Sequence, residues 1–142
     1  MQGQCTGEAA TPFSIGAATR IGAALLILIG GAIHAYETPA QYSSVRYLGI
    51  LFAANVAGAL IAAAGIYRDK PWAWVLGILV AGGALAAYAI TRTVGLPQDT
   101  GDIGNWGEPL GVVALVAEGA FVLLALGSNS TWRRRIVDGT AA

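Results

Sequence analysis

Residues 45–90 read VRYLGILFAANVAGALIAAAGIY, then RDKP, then WAWVLGILVAGGALAAYAI, and this stretch decides the fold. Its two apolar runs, Val45–Tyr67 and Trp72–Ile90, are each close to the roughly 20 residues that cross a hydrocarbon core as a helix. Neither alternates with period two, and Ala and Leu dominate, so helices fit better than barrel strands. Arg68-Asp69-Lys70-Pro71 between them is a tight polar turn, with Pro71 suited to the first turn of the following helix.

Working outward, a run of the same kind precedes this pair, Ile15–Tyr36, and another follows it, Leu110–Gly127. Thr38 and Pro39, then Gln41 to Ser44, are expected to separate spans one and two. Gly95-Leu96-Pro97 closes span three. A Gly- and Asp-rich loop then leads to Glu108-Pro109, where Pro109 starts span four and Glu108 can cap its positive end. The expected organisation is a polar lead-in over 1–14, a four-helix membrane domain over 15–127 and a basic tail over 128–142. The fold class is all-α, an integral membrane four-helix bundle. Polar positions in the two halves do not map onto each other, so no inverted repeat is evident.

Composition agrees. Of the 142 residues 56% are hydrophobic and 11% charged, against the roughly 25% charged of an ordinary soluble domain. Eight basic and eight acidic residues leave no net charge, which gives nucleic-acid binding no basic footprint. The single Cys5 excludes an internal disulfide. Residues 1–14 lack the basic flank and apolar core of a cleaved signal peptide, and Cys5 has no apolar segment before it to suggest a lipoprotein.

Basic residues set the expected orientation. Arg20, Arg68, Lys70 and Arg133–Arg135 fall on one side, and only Arg46 and Arg92 on the other. The positive-inside rule puts the first group, and both termini, in the cytoplasm. Trp72, Trp74 and Trp132 are then expected as anchors at the cytoplasmic interface, and Trp106 as one at the opposite surface.

Lipid is as apolar as Leu, so membrane helices pack through small residues. Each span carries such a face: Gly16, Ala23, Ile27, Gly30 and His34; Phe52, Asn55, Ala59 and Ala62; Gly77, Ala81, Ala84, Tyr88 and Arg92; Gly111, Ala114, Glu118, Phe121 and Ala125. If these faces meet, His34, Asn55, Tyr88, Arg92 and Glu118 converge. Glu118 and Asn55 lie deep, whereas His34, Tyr88 and Arg92 lie nearer the outer surface, so the expectation is an outward-opening polar cluster under the 97–106 loop.

Each candidate has a plain alternative. A carboxylate at the depth of Glu118 must be protonated or paired; it is either a ligand- or proton-handling acid or a helix-joining group bonded to Asn55 or Tyr88. Arg92 and His34 could bond a ligand's polar head, with Tyr88 and Trp106 stacking, whereas Asn55 reads as interhelical glue. His34 and Glu37 form H-x-x-E, a weak metal candidate: di-iron bundles use Glu-x-x-His twice with two further carboxylates. A lone His also rules out bis-histidine haem within one chain. The sequence leaves the cofactor unknown. Tyr36, Tyr42 and Tyr47 are explained by an aromatic belt, and Asp99 and Asp102 do not have the spacing of an EF-hand loop.

Arg92-Thr93-Val94-Gly95-Leu96-Pro97, Trp106-Gly107-Glu108-Pro109-Leu110-Gly111 and then Glu118 resemble uncharacterised small four-pass membrane proteins of prokaryotes, in which R-T-x-G-L-P and W-x-E-P-x-G segments flank the last loop. The resemblance implies four passes, a prokaryotic cytoplasmic (inner) membrane and motif residues gathered at the outer end. It brings no activity with it.

The leading expectation is a non-enzymatic membrane protein that binds a small apolar or amphipathic molecule, quinone- or lipid-like, or a partner, through the outward polar cluster. One alternative is an oligomeric proton-coupled transporter exchanging at Glu118. Another is an accessory subunit of a larger membrane complex. No nucleophile–base pair is evident to support an enzyme.

Overall fold

The computed structural model describes residues 15–139. Four helices are long and apolar enough to span a membrane: α1 (Ala17–Ser44), α2 (Arg46–Tyr67), α3 (Pro71–Thr93) and α4 (Pro109–Gly127). A short α5 (Asn129–Val137) follows, within the segment that the sequence reads as a basic tail. No strand occurs among the described residues beyond the isolated bridge Leu96–Asp99. The chain is an all-α, multi-pass membrane bundle.

The helices form a square. α1 packs on α2 and α4, α3 packs on α2 and α4, and little contact crosses the α1–α3 diagonal. The expected faces are the ones that meet: Ala23, Ile27 and Gly30 of α1, Ala59 and Ala62 of α2, Gly77 and Ala81 of α3, and Ala114, Phe121 and Ala125 of α4 are all buried. Large apolar side chains such as Leu25, Leu60, Val116 and Leu123 stay exposed, as lipid-facing residues do.

Packing is tightest at the end that holds the α2–α3 turn. Trp74 stacks on Phe121 with centroids 6.4 Å apart, and Gly77 lets the Phe121 ring approach its backbone. Trp74 is therefore a core residue and not an interfacial anchor, because α3 turns it toward α4 in its first turn. Trp132 is likewise buried, its indole N–H donating to the Ala125 carbonyl at 3.0 Å and holding α5 against the bundle. Arg20 pairs with Asp69 at 3.5 Å, tying the start of α1 to the same end.

The first break lies later than expected. α1 continues through Pro39 to Ser44, and only Val45, with extended backbone, separates it from α2. Pro39 cannot donate to the carbonyl one turn back. Neighbouring hydroxyls fold back onto the helix there: Thr38 donates to the His34 carbonyl at 2.6 Å and Ser43 to the Pro39 and Ala40 carbonyls. α4 begins as its sequence suggests, with Glu108 accepting from the amides of Leu110 and Gly111.

Candidate functional site

The longer α1 changes the depth of His34. Ten residues before the helix end, it lies about 15 Å inside at 1.5 Å per residue. Glu118, nine residues into α4, lies about 13 Å below the same end. The two are thus level, and α1 and α4 are neighbours. Nε2 of His34 sits 2.9 Å from Oε1 of Glu118, with the His side chain 14% and the Glu side chain 5% exposed. The expected partners of Glu118, Asn55 or Tyr88, are not its partner, and neither is Arg92; placing the end of α1 at Tyr36 had put His34 at the surface.

The surroundings of the pair are built for it. A Cβ on Gly30, one turn before His34, would lie 3.0 Å from both Cγ and Oε1 of Glu118, so glycine provides the room for the carboxylate. Phe52 of α2 meets the imidazole edge-on, with centroids 4.8 Å apart. Nδ1 of His34 is buried and has no hydrogen-bond partner. Two ionisable groups in contact and shielded from water are what proton transfer or recognition of a polar group requires.

Beside the pair lies a cavity of about 660 Å³, between the upper halves of all four helices. His34, Asn55, Tyr88, Arg92 and Glu118 all line it, within walls of Leu48, Leu51, Phe52, Leu79, Val80 and Ala84 among others. That volume is in the range of small-molecule pockets, roughly 300–1,000 Å³. Asn55 donates a long 3.4 Å bond to the Val80 carbonyl of α3, so it both joins helices and faces the cavity.

The loop between α3 and α4 forms the mouth. Arg92, at the last turn of α3, is 7% exposed. It holds Asp102 at 2.6 Å and lies 4.6 Å over the Tyr88 ring. Its carbonyl also accepts from the Gly104 amide at 2.9 Å, so side chain and backbone together fold the loop over the helix end. The Tyr88 hydroxyl donates to the Trp106 carbonyl at 3.1 Å, and Tyr47 of α2 donates to the Pro97 carbonyl at 2.7 Å.

One expectation changes here. Trp106 does not line the cavity; its half-exposed ring meets Tyr88 edge-on at 6.0 Å, from outside. Glu37 lines the mouth, yet among the described residues no three His, Cys, Asp or Glu side chains gather as a metal site. Asp102, Phe52 and Glu108 also belong to the site, and the sequence analysis did not choose them. Asp102 could have been found by asking what neutralises a buried Arg92, since only three further acids, Asp99, Glu108 and Glu37, lie on that side of the bundle. The chain matches no known protein family, no curated protein and no solved structure.

Proposed function

We propose that this membrane protein is a binding protein for a small apolar or amphipathic molecule, quinone- or lipid-like, that lodges among the upper halves of its four helices. The observation that carries this reading is the cavity of about 660 Å³ with the buried His34–Glu118 pair in its wall. A bundle held together only by packing gains nothing from burying an ionisable pair beside a void, since apolar residues of similar volume would close it at no greater cost. Arg92 and His34 are the hydrogen-bonding groups for the ligand's head, and Tyr88, Phe52 and the leucines hold its apolar part. The asymmetry of basic residues supports an orientation with both termini in the cytoplasm and the mouth of the cavity outward. The Arg92–Pro97 and Trp106–Gly111 segments, which carry the resemblance to prokaryotic four-pass proteins, both border that mouth. That resemblance, and not the geometry, is what favours a prokaryotic cytoplasmic membrane as its place.

The test is native mass spectrometry, with an absorption spectrum, on protein released gently from its own membranes. A co-purifying small molecule that is lost in Arg92→Ala or His34→Ala is the expected result. Protein that is bare under every mild condition would count against binding.

The buried pair itself favours a second reading, a proton-coupled transporter working as an oligomer. It predicts pH-dependent flux in vesicles that disappears in Glu118→Gln. A bare homo-oligomer in the mass spectrum would move the weight to this reading, and a foreign subunit would move it to an accessory role in a larger complex.

A further inference from the structure

The α2–α3 interface opens along its length. On α2, Gly65, Gly58 and Leu51 succeed one another at seven-residue spacing, and on α3 so do Ala73, Val80 and Ala87. Such spacing keeps residues on one helix face. At the turn end the two faces are in contact, where a Cβ on Gly65 would fall 2.5 Å from that of Ala73. Two turns higher they still touch, and a Cβ on Gly58 would fall 2.6 Å from Val80 Cγ2. Two turns higher again nothing covers them: Leu51 is 57% exposed and Ala87 is exposed as well. Leu51, Leu79, Gly83 and Ala87 are exposed on the flank of the bundle and at the same time line the cavity.

A slit on the lipid-facing side of a membrane bundle, walled by Leu, Gly and Ala, admits hydrocarbon and not water. Inside, the one arginine of the lining is already paired with Asp102, and the Glu118 carboxyl is met by His34. Glu37, Asp99 and Glu108 add further carboxylates to the lining, so an anionic head would meet repulsion with no free cation to receive it. The Asn55 amide and the Tyr88 and Thr91 hydroxyls also belong to the lining, which suits an uncharged head carrying a carbonyl or hydroxyl. Resting on the ligand reading above, we infer that the cavity takes an uncharged single-chain amphiphile, which enters sideways from the bilayer through the slit between Leu51 and Ala87. A second copy of the chain is a poorer occupant, because a helix laid along the slit could seal it but could not reach the pair inside.

The test uses the full chain in phosphatidylcholine vesicles with two photoactivatable probes, a long-chain alcohol and an alkyl sulfonate of equal length, both carrying a diazirine. Adducts are mapped by peptide mass spectrometry at Phe52 and Ala84, lining residues that are not on the exposed flank, and at Leu123 on the outer surface of α4. The alcohol is expected to label both places and the sulfonate only the outer one. Ala87→Trp should lower cavity labelling by roughly tenfold, an affinity change of one decade, with Leu123 labelling intact as the sign of a folded bundle. Leu51→Trp serves if Ala87→Trp does not fold. Gln41→Trp, at the mouth, should leave cavity labelling unchanged. Labelling lost in Gln41→Trp and kept in Ala87→Trp would mean access from water, overturning the slit while leaving a binding cavity. Equal cavity labelling by the sulfonate would overturn the uncharged head. Cavity labelling that rises as the protein is diluted in lipid would show a second copy sealing the slit. No cavity labelling by either probe, with Leu123 labelled, would remove the binding reading itself.

Discussion

His34 of α1 and Glu118 of α4 stand 84 positions apart in the chain and 2.9 Å apart in the bundle, each the other's only hydrogen-bonded side chain among the described residues. Their contact makes α1 and α4 neighbours in chemistry as well as in packing. Both groups are nearly sealed from solvent, so the energetics are those of an interior pair, in which removing one member strands the other.

A double-mutant cycle measures that coupling. His34→Leu or Glu118→Leu alone should destabilise the bundle by about 1–3 kcal/mol, the usual cost of an unsatisfied buried polar group. The double variant should recover most of the loss. Unfolding in mixed micelles, followed by circular dichroism, gives the three values. Strictly additive losses would mean that the two side chains do not depend on each other.

Glycines on α1 should respond oppositely to the same change. Gly30→Ala places a methyl against Cγ and Oε1 of Glu118, which must then move. At Gly22 nothing lies within 4 Å, so Gly22→Ala adds helix propensity without a clash and should stabilise by about 0.5–1 kcal/mol. Gly30→Ala should be destabilising and should also weaken ligand retention. Equal effects at the two sites would show that the carboxylate is not seated where it is described.

Most of the bundle was legible because membrane packing leaves a plain mark in sequence. Small residues at helical spacing, such as Ala59 and Ala62 or Gly77 and Ala81, have no reason to recur in line except close helix contact. The same reasoning brought His34, Asn55, Tyr88, Arg92 and Glu118 to one cavity. It failed on pairings, which turn on a fraction of a helix length. Reading Thr38-Pro39 as a break moved His34 to the surface and handed Glu118 the wrong partner. Trp74 was misjudged for a related reason: a tryptophan near a span's end is either anchor or core depending on which way the first turn faces, and the neighbouring helix decides that. The loop ion pair was out of reach, because Asp102 owes its position to a chain reversal that no periodicity encodes.

That misread break is itself testable. If α1 runs through Pro39 to Ser44, amides from Ala40 to Ser44 should exchange slowly in detergent, comparable with mid-helix positions apart from end fraying. A helix ending at Tyr36 would leave that whole segment exchanging within seconds. Thr38→Val, which deletes the bond to the His34 carbonyl, should speed exchange locally near the proline without unfolding the bundle.

The mouth should depend on Arg92 and Asp102 acting together. Arg92 is buried while Asp102 is partly exposed, so the arginine carries the larger cost when the pair is cut. Asp102→Asn keeps shape and hydrogen bonding but removes the charge. It should loosen the loop, raising exchange at the Gly104 amide that donates to the Arg92 carbonyl. Arg92→Lys should do more, because a lysine ammonium lacks the planar fork that lies over Tyr88 while reaching Asp102. Added salt should leave wild-type exchange nearly unchanged, since a pair anchored in a buried guanidinium is screened far less than a surface one. Salt-dependent opening of Gly104, or an Asp102→Asn loop as protected as wild type, would show that the loop is held by its turns alone and that Arg92 faces the cavity with its charge unspoken for.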